Sequence, residues 1–202
     1  MQHHISNILG GIYSLGGQPD KALIEYLVKF YHVFMDIAYQ GVPDIRVIIF
    51  LGVPVMAMVR LPTRQSDGKA NLHQGAIGAG IDIASGLTKF AVQGNGNVLN
   101  HPDTENSVIN VQVPYWDEIL NIASNCYELT GMGYQGVDIV LDQDQGPLML
   151  ELNVRPGLNI QIANRAGLLP RLNLIKKNRD ALNSTESRVN FSKLHFCSEP
   201  FL

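Results

Sequence analysis

Apolar and β-branched positions along the chain fall into short runs parted by Gly, Pro, Asp and Asn, the pattern of a sheet, and helical spacing is confined to a few stretches. Ile5, Ile8, Leu9, Ile12 and Leu15 recur at helical spacing before Gly16-Gly17, which predicts a first helix over residues 3–15. Ala22–Val28 reads as a buried strand, and the aromatic stretch Phe30–Tyr39 as a further strand. Asp44–Phe50 and Val55–Leu61 flank a turn at Leu51-Gly52 and predict a hairpin. Ile81–Val98 has strand character with turns at Ser85-Gly86 and Gly94-Asn95-Gly96. Pro114 opens a helix that carries acids in its first turn and ends before Gly131, with Trp116, Ile119, Leu120, Ala123 and Tyr127 as its core stripe. Val137–Leu141 and Leu148–Leu152 form a second hairpin around a polar turn. Helices follow over 160–166, stopped by Gly167, and over 168–182, and from Asn183 a Ser/Thr/Asn-rich tail is expected to be loosely ordered.

Composition narrows the function classes. At 202 residues and 46% hydrophobic, the chain can bury one good core with room for a smaller lobe. Charge is low and nearly balanced at −3, so no electrostatic partner such as nucleic acid or an anionic membrane is expected. The two cysteines, Cys126 and Cys197, have neither metal nor disulfide spacing, which fits a reducing compartment. The start lacks a basic segment followed by an apolar one, and the longest apolar run, Val47–Val59, is broken by Gly52 and Pro54. These features predict a soluble cytoplasmic protein.

The second hairpin carries the candidate chemistry. Pairing around Asp144-Gln145 sets Asp138 opposite Glu151, with Asn153 on the same face ~6–7 Å further along. Opposed carboxylates repel, so a cation between them would explain their retention in apolar strands. Hard oxygen ligands suit Mg²⁺ or Mn²⁺, which completes its shell with water and phosphates. A solvated strand face explains the same residues equally well, and a one-residue bulge would break the register. Arg46 and Arg60 flank the first hairpin, where a lone arginine is ordinarily a snorkelling edge residue.

Gly136-Val137-Asp138 followed by Leu150-Glu151-Leu152-Asn153-Val154-Arg155-Pro156-Gly157 resembles the metal-binding end of the ATP-grasp enzymes, and more narrowly their α-L-glutamate ligase (RimK-like) branch. Asn71-Leu72-His73-Gln74-Gly75 resembles that branch's Asn-Leu-His-x-Gly segment, and Ala22–Val28 resembles its adenine hinge strand. The resemblance implies an α+β fold, a mainly antiparallel sheet covered by helices with part of the lid subdomain. It divides the chain into a lid remnant with the hinge strand (1–43), the C-terminal catalytic domain (44–182) and the tail (183–202). It implies ATP bound through Glu25, Tyr26, Leu27, Val28, Arg60 and Asn71, and Mg²⁺ or Mn²⁺ held by Asp138, Glu151 and Asn153. Arg46 and Arg155 would hold the acyl phosphate or incoming amino acid. The implied reaction joins a small amino acid to a carboxylate acceptor at the expense of ATP. The lid lysines and an N-terminal α/β domain are not found in the chain, so the resemblance implies a fragment or a short form. The rival readings are a non-catalytic nucleotide- or protein-binding module and, more weakly, a hydrolase using Asp138 and Glu151 as acid and base.

Overall fold

The computed structural model describes residues 2–197. Seven antiparallel strands form one sheet in the order β5-β4-β3-β2-β1-β6-β7. They are β1 (Asp44–Phe50), β2 (Val53–Leu61), β3 (Ile77–Ile81), β4 (Thr88–Gln93), β5 (Gly96–Asn97), β6 (Tyr134–Asp142) and β7 (Gly146–Asn153). The expected α+β class is therefore the observed one.

Strand alternation gives the sheet two apolar faces. Ile45, Val47, Ile49, Val59, Leu61, Val137 and Ile139 pack on one side with Trp116, Ile119, Leu120 and Ala123 of α2 (Trp116–Thr130). Gly131 ends α2 in the left-handed conformation that glycine adopts without a Cβ penalty. Ile48, Met56 and Met58 point the other way, beneath α3 (Ile160–Ala163) and α4 (Leu168–Lys177). Beyond the cover of α3 the same face carries the polar residues Asp44, Arg46, Arg60 and Asp138.

Several local expectations are corrected. The first helix, α1 (Gln2–Leu9), is shorter than predicted and gives way to turns at Gly10-Gly11. Phe30–Tyr39 is not a strand: its centre, His32–Ile37, is a 3₁₀ helix that buries Phe34 and Ile37. Ala22–Val28 is no buried strand either. Leu23 and Leu27 are 81% and 83% exposed, and among the described residues the main chain of the segment makes no hydrogen bond to the sheet, which the chain joins just beyond it, where Phe30 bridges Asp142. An apolar run becomes a strand only when a neighbouring strand accepts its hydrogen bonds, and among the described residues no strand pairs with it. Gly167 does not stop α3 but precedes α4, and α4 ends at Lys177 before a 3₁₀ turn at Arg179–Ala181.

The tail is ordered over most of its length. Thr185–His195 forms α5, opened by a reciprocal cap in which Ser184 and Ser187 bond each other's main chain. Ser192 Oγ donates to Pro54 O of β2, and Arg188 Nε donates to Leu182 O at 3.0 Å. The helix is hard to read from sequence because its buried positions, Arg188, Val189 and Ser192, are mostly polar. Residues 198–202 of the expected loose tail lie outside the described residues, as does Met1. Among the described residues, no helix is long and apolar enough to cross a membrane.

Candidate functional site

Two bulges set the site's register. In the β6–β7 hairpin, Asp142 pairs with Gly146 and Ile139 with Met149, whereas Asp138 pairs with Glu151, so Leu150 is the extra residue. The turn is one residue shorter than a pairing around Asp144-Gln145 requires, and the bulge restores the offset. In the β1–β2 hairpin the register shifts between Ile48 and Ile49, with Val55 the extra residue. That shift sets Asp44 opposite Arg60, and β1 in turn sets Arg46 opposite Asp138. One face of four adjacent strands thereby gathers Arg60, Asp44, Arg46, Asp138 and Glu151.

The side chains form one network. Arg46 donates through Nε to Asp138 Oδ1 at 2.7 Å and through Nη2 to Asp138 Oδ2 at 2.6 Å. Arg60 forks onto Asp44, with Nη2 at 2.6 Å from Oδ2, and also reaches Asp138 Oδ2 at 2.9 Å. Asn153 Nδ2 donates to Asp138 Oδ2 at 3.1 Å and to Glu151 Oε1 at 3.0 Å, so an amide stands between the two carboxylates. The Asp138 side chain is fully buried, and those of Arg46 and Arg60 are 11% and 13% exposed.

Electrostatics follow from that burial. Burial works to raise the Asp138 carboxyl, but the hydrogen bonds from Arg46 and the charges of both arginines outweigh it and hold the group below the usual carboxylate range. Asp44 differs: burial pushes it up to about 6 against the pull of Arg60. The guanidinium of Arg60 is driven further toward its charged form by Asp44 and Asp138, which outweigh its own burial.

The bonds account for Nε and Nη2 of each arginine and leave Nη1 of each without a partner among the described residues. Both arginines help line a cavity of about 50 Å³ with Met58, Asn71, Leu72 and His73. Arg46, Arg60 and Asn71, separate in sequence, therefore meet at one cavity. Asn71 Oδ1 accepts from His73 N at 3.0 Å, which caps the 3₁₀ helix Leu72–Gln74. Two glycines admit this cover: a Cβ on Gly78 would lie 2.8 Å from Leu72 Cδ2, and one on Gly136 would lie 2.7 Å from Pro156 Cβ. Arg155 is exposed, with no hydrogen bond or ion pair among the described residues. Glu25, Tyr26 and Leu27 are exposed and Val28 half-buried, and the main chain from Ala22 to Val28 makes no backbone hydrogen bond to the sheet.

The donor set fits Mg²⁺ in part. Glu151 is exposed and accepts one bond, so its carboxylate, with Asn153 beside it, could serve as one of the one or two carboxylates that Mg²⁺ ordinarily takes. Asp138 accepts four hydrogen bonds on a carboxylate with about four lone-pair sites. Arg46 is the positive charge that stands against Asp138 in this structure. Asp44 is the site residue that sequence reasoning missed, since only the Val55 bulge turns it toward Arg60.

The sugar-transfer associated ATP-grasp family model matches residues 1–177, and the chain belongs to that family. Its members fall in the ATP-grasp superfamily, whose domains are generally ATP- and Mg²⁺-binding carboxylate–amine ligases or related enzymes. No curated protein matches the chain.

Proposed function

We propose that the chain holds ATP and metal for a carboxylate–amine ligase that works through an acyl phosphate. The observation that carries this reading is the pair of arginines that line one cavity with Asn71, each with its Nη1 unpaired among the described residues, on the sheet face that also presents Glu151 and Asn153. Planar guanidinium forks suit phosphate oxygens, and their carboxylate partners hold them in place in advance.

In the proposed reaction a substrate carboxylate oxygen attacks the γ-phosphorus, the bond from that phosphorus to the bridging oxygen breaks, and ADP leaves with the electron pair. An amine then attacks the acyl carbon, phosphate leaves with its C–O electron pair, and the amine proton passes to solvent. Arg60 and Asn71 steady the triphosphate, and Arg46 and Arg155 the acyl phosphate or incoming amino acid. Glu151 and Asn153 would hold Mg²⁺, with Asp138 joining them only by giving up bonds to Arg46. The metal would neutralise charge on the phosphates. The unpaired main chain of Tyr26–Val28 is free to meet adenine, and Glu25 the ribose. The α-L-glutamate ligase resemblance favours an amino acid as the amine. The family's tie to sugar transfer favours an acceptor carboxylate borne on a saccharide. Two free cysteines, one buried, agree with a cytoplasmic setting.

A second reading, a nucleotide- or protein-binding module without catalysis, is favoured by the saturation of Asp138 with protein donors. The two part on ADP release, measured with and without carboxylic and amino acids beside nucleotide binding. Arg155→Ala is expected to keep ATP affinity within a few-fold and to cut turnover by about 10²–10³. Glu151→Ala is expected to lose Mn²⁺-dependent nucleotide binding and turnover together. A protein that binds ATP and never releases ADP with any acceptor is the binding module.

A further inference from the structure

Next to the arginine cavity lies a larger one of about 240 Å³, lined by Leu72, His73, Val92, Asn95, Asn159 and Ile162. The two share Leu72, His73 and Asn159, so they adjoin along one wall. Backbone proximity holds that wall: Leu72 sits on Gly78, and α3 lies so close to β3 that a Cβ on Gly80 would stand 2.3 Å from Ala163 O. From the far side the turn between β4 and β5 presents Asn95.

Resting on the ligase reading, we propose that this cavity is the acceptor subsite and takes an uncharged, hydroxyl-bearing ring, a saccharide. No Lys, Arg, Asp or Glu lines it, in contrast to its neighbour. A free amino acid or a phosphate would leave its charges without counter-charges there. The polar lining consists of His73, Asn95 and Asn159, whose side chains make no hydrogen bond among the described residues. Each amide both donates and accepts, which matches hydroxyls. Leu72, Val92 and Ile162 supply apolar surface for the C–H face of a ring. The volume is below the roughly 300–1,000 Å³ of clefts for drug-sized ligands, which suits one ring rather than a nucleotide. A ring seated here directs a carboxylate substituent past His73 and Asn159 to the Nη1 groups of Arg46 and Arg60.

Methyl-detected NMR of Val92 and Ile162 in the full chain tests this, with N-acetylglucosamine and methyl glucoside as probes, free glutamate as control, and ADP affinity measured on the same samples. The expected result is saturable shifts with at least one sugar and none with glutamate. Asn95 is exposed and unbonded, and Asn95→Ala is expected to weaken the sugar about 5-fold, the scale of one neutral hydrogen bond, without changing ADP affinity. Absence of saturable shifts with both sugars, equal shifts with glutamate, or unchanged sugar affinity in Asn95→Ala would overturn the proposal. ADP bound without sugar binding removes the subsite and leaves the ligase reading. Sugar bound without ADP binding removes the ligase reading and leaves a saccharide site.

Discussion

Asp138→Asn separates two accounts of the hairpin that differ in sign. Were Asp138 and Glu151 bare opposed carboxylates, removing one charge would relieve repulsion and leave the protein as stable or slightly more so. The structure predicts the reverse. Asp138 is fully buried and receives both fork donors of Arg46, a further bond from Arg60 and one from Asn153. An asparagine keeps one carbonyl oxygen but presents an amide N–H donor where Arg46 needs an acceptor, which leaves a mostly buried guanidinium without its counter-charge. Breaking one partner of such a pair costs about 3–5 kcal/mol, and the retained oxygen and the Arg60–Asp44 fork favour the lower end. About 3 kcal/mol corresponds to a fall in Tm of roughly 6–12 °C for a chain of this size. Thermal and urea unfolding of metal-free protein measure it. In a double-mutant cycle, Arg46→Met with Asp138→Asn should show coupling on the order of 1–3 kcal/mol. An unchanged or raised Tm in Asp138→Asn would refute the anchoring role.

Two further perturbations follow from the same network. Because the folded-state value for Asp44 is raised from 3.8 to about 6, its stabilising contribution is fully present below the unfolded value and is lost as pH rises through about 6. Urea unfolding between pH 4 and 7 should show a loss on the order of 3 kcal/mol that is absent from Asp44→Asn, and identical pH profiles for the two proteins would count against a raised Asp44. Gly136→Ala sets a methyl 2.7 Å from Pro156 Cβ and should destabilise by about 1–3 kcal/mol. It should also shift the amide resonances of Arg155 and Gly157, and an undisturbed spectrum would mean the turn is not seated on Gly136.

The strands of this site were legible in the sequence, and their registers only in part. Period-two alternation marks which residues of Asp44–Phe50 and Val137–Leu141 share a face, and the glycine-bounded turns mark the hairpins. The extra residues Val55 and Leu150 carry no signal of their own, yet they decide that Asp44 meets Arg60 and that Asp138 meets Glu151. Pairing around Asp144-Gln145 sets Asp138 opposite Glu151 with a turn one residue longer than the observed one, and the Leu150 bulge makes up the difference. The partner of Asp138 was not readable, because Arg46 reaches it across β1 and β6, distant in sequence. The run Ala22–Val28 has strand composition, but pairing depends on a neighbour that composition cannot supply.

The central claim, ligation through an acyl phosphate, is tested most directly by following the acceptor's own oxygen. A carboxylate acceptor, such as a uronic acid, carries a heavy oxygen isotope in both carboxyl positions and is incubated with the protein, ATP, Mg²⁺ and an amino acid, and the inorganic phosphate is analysed by mass. If a carboxylate oxygen attacks the γ-phosphorus and an amine later expels phosphate, one labelled oxygen leaves with each phosphate formed and the amide keeps the other. Phosphate released without label, at a rate indifferent to the acceptor, would contradict the account and mark simple ATP hydrolysis.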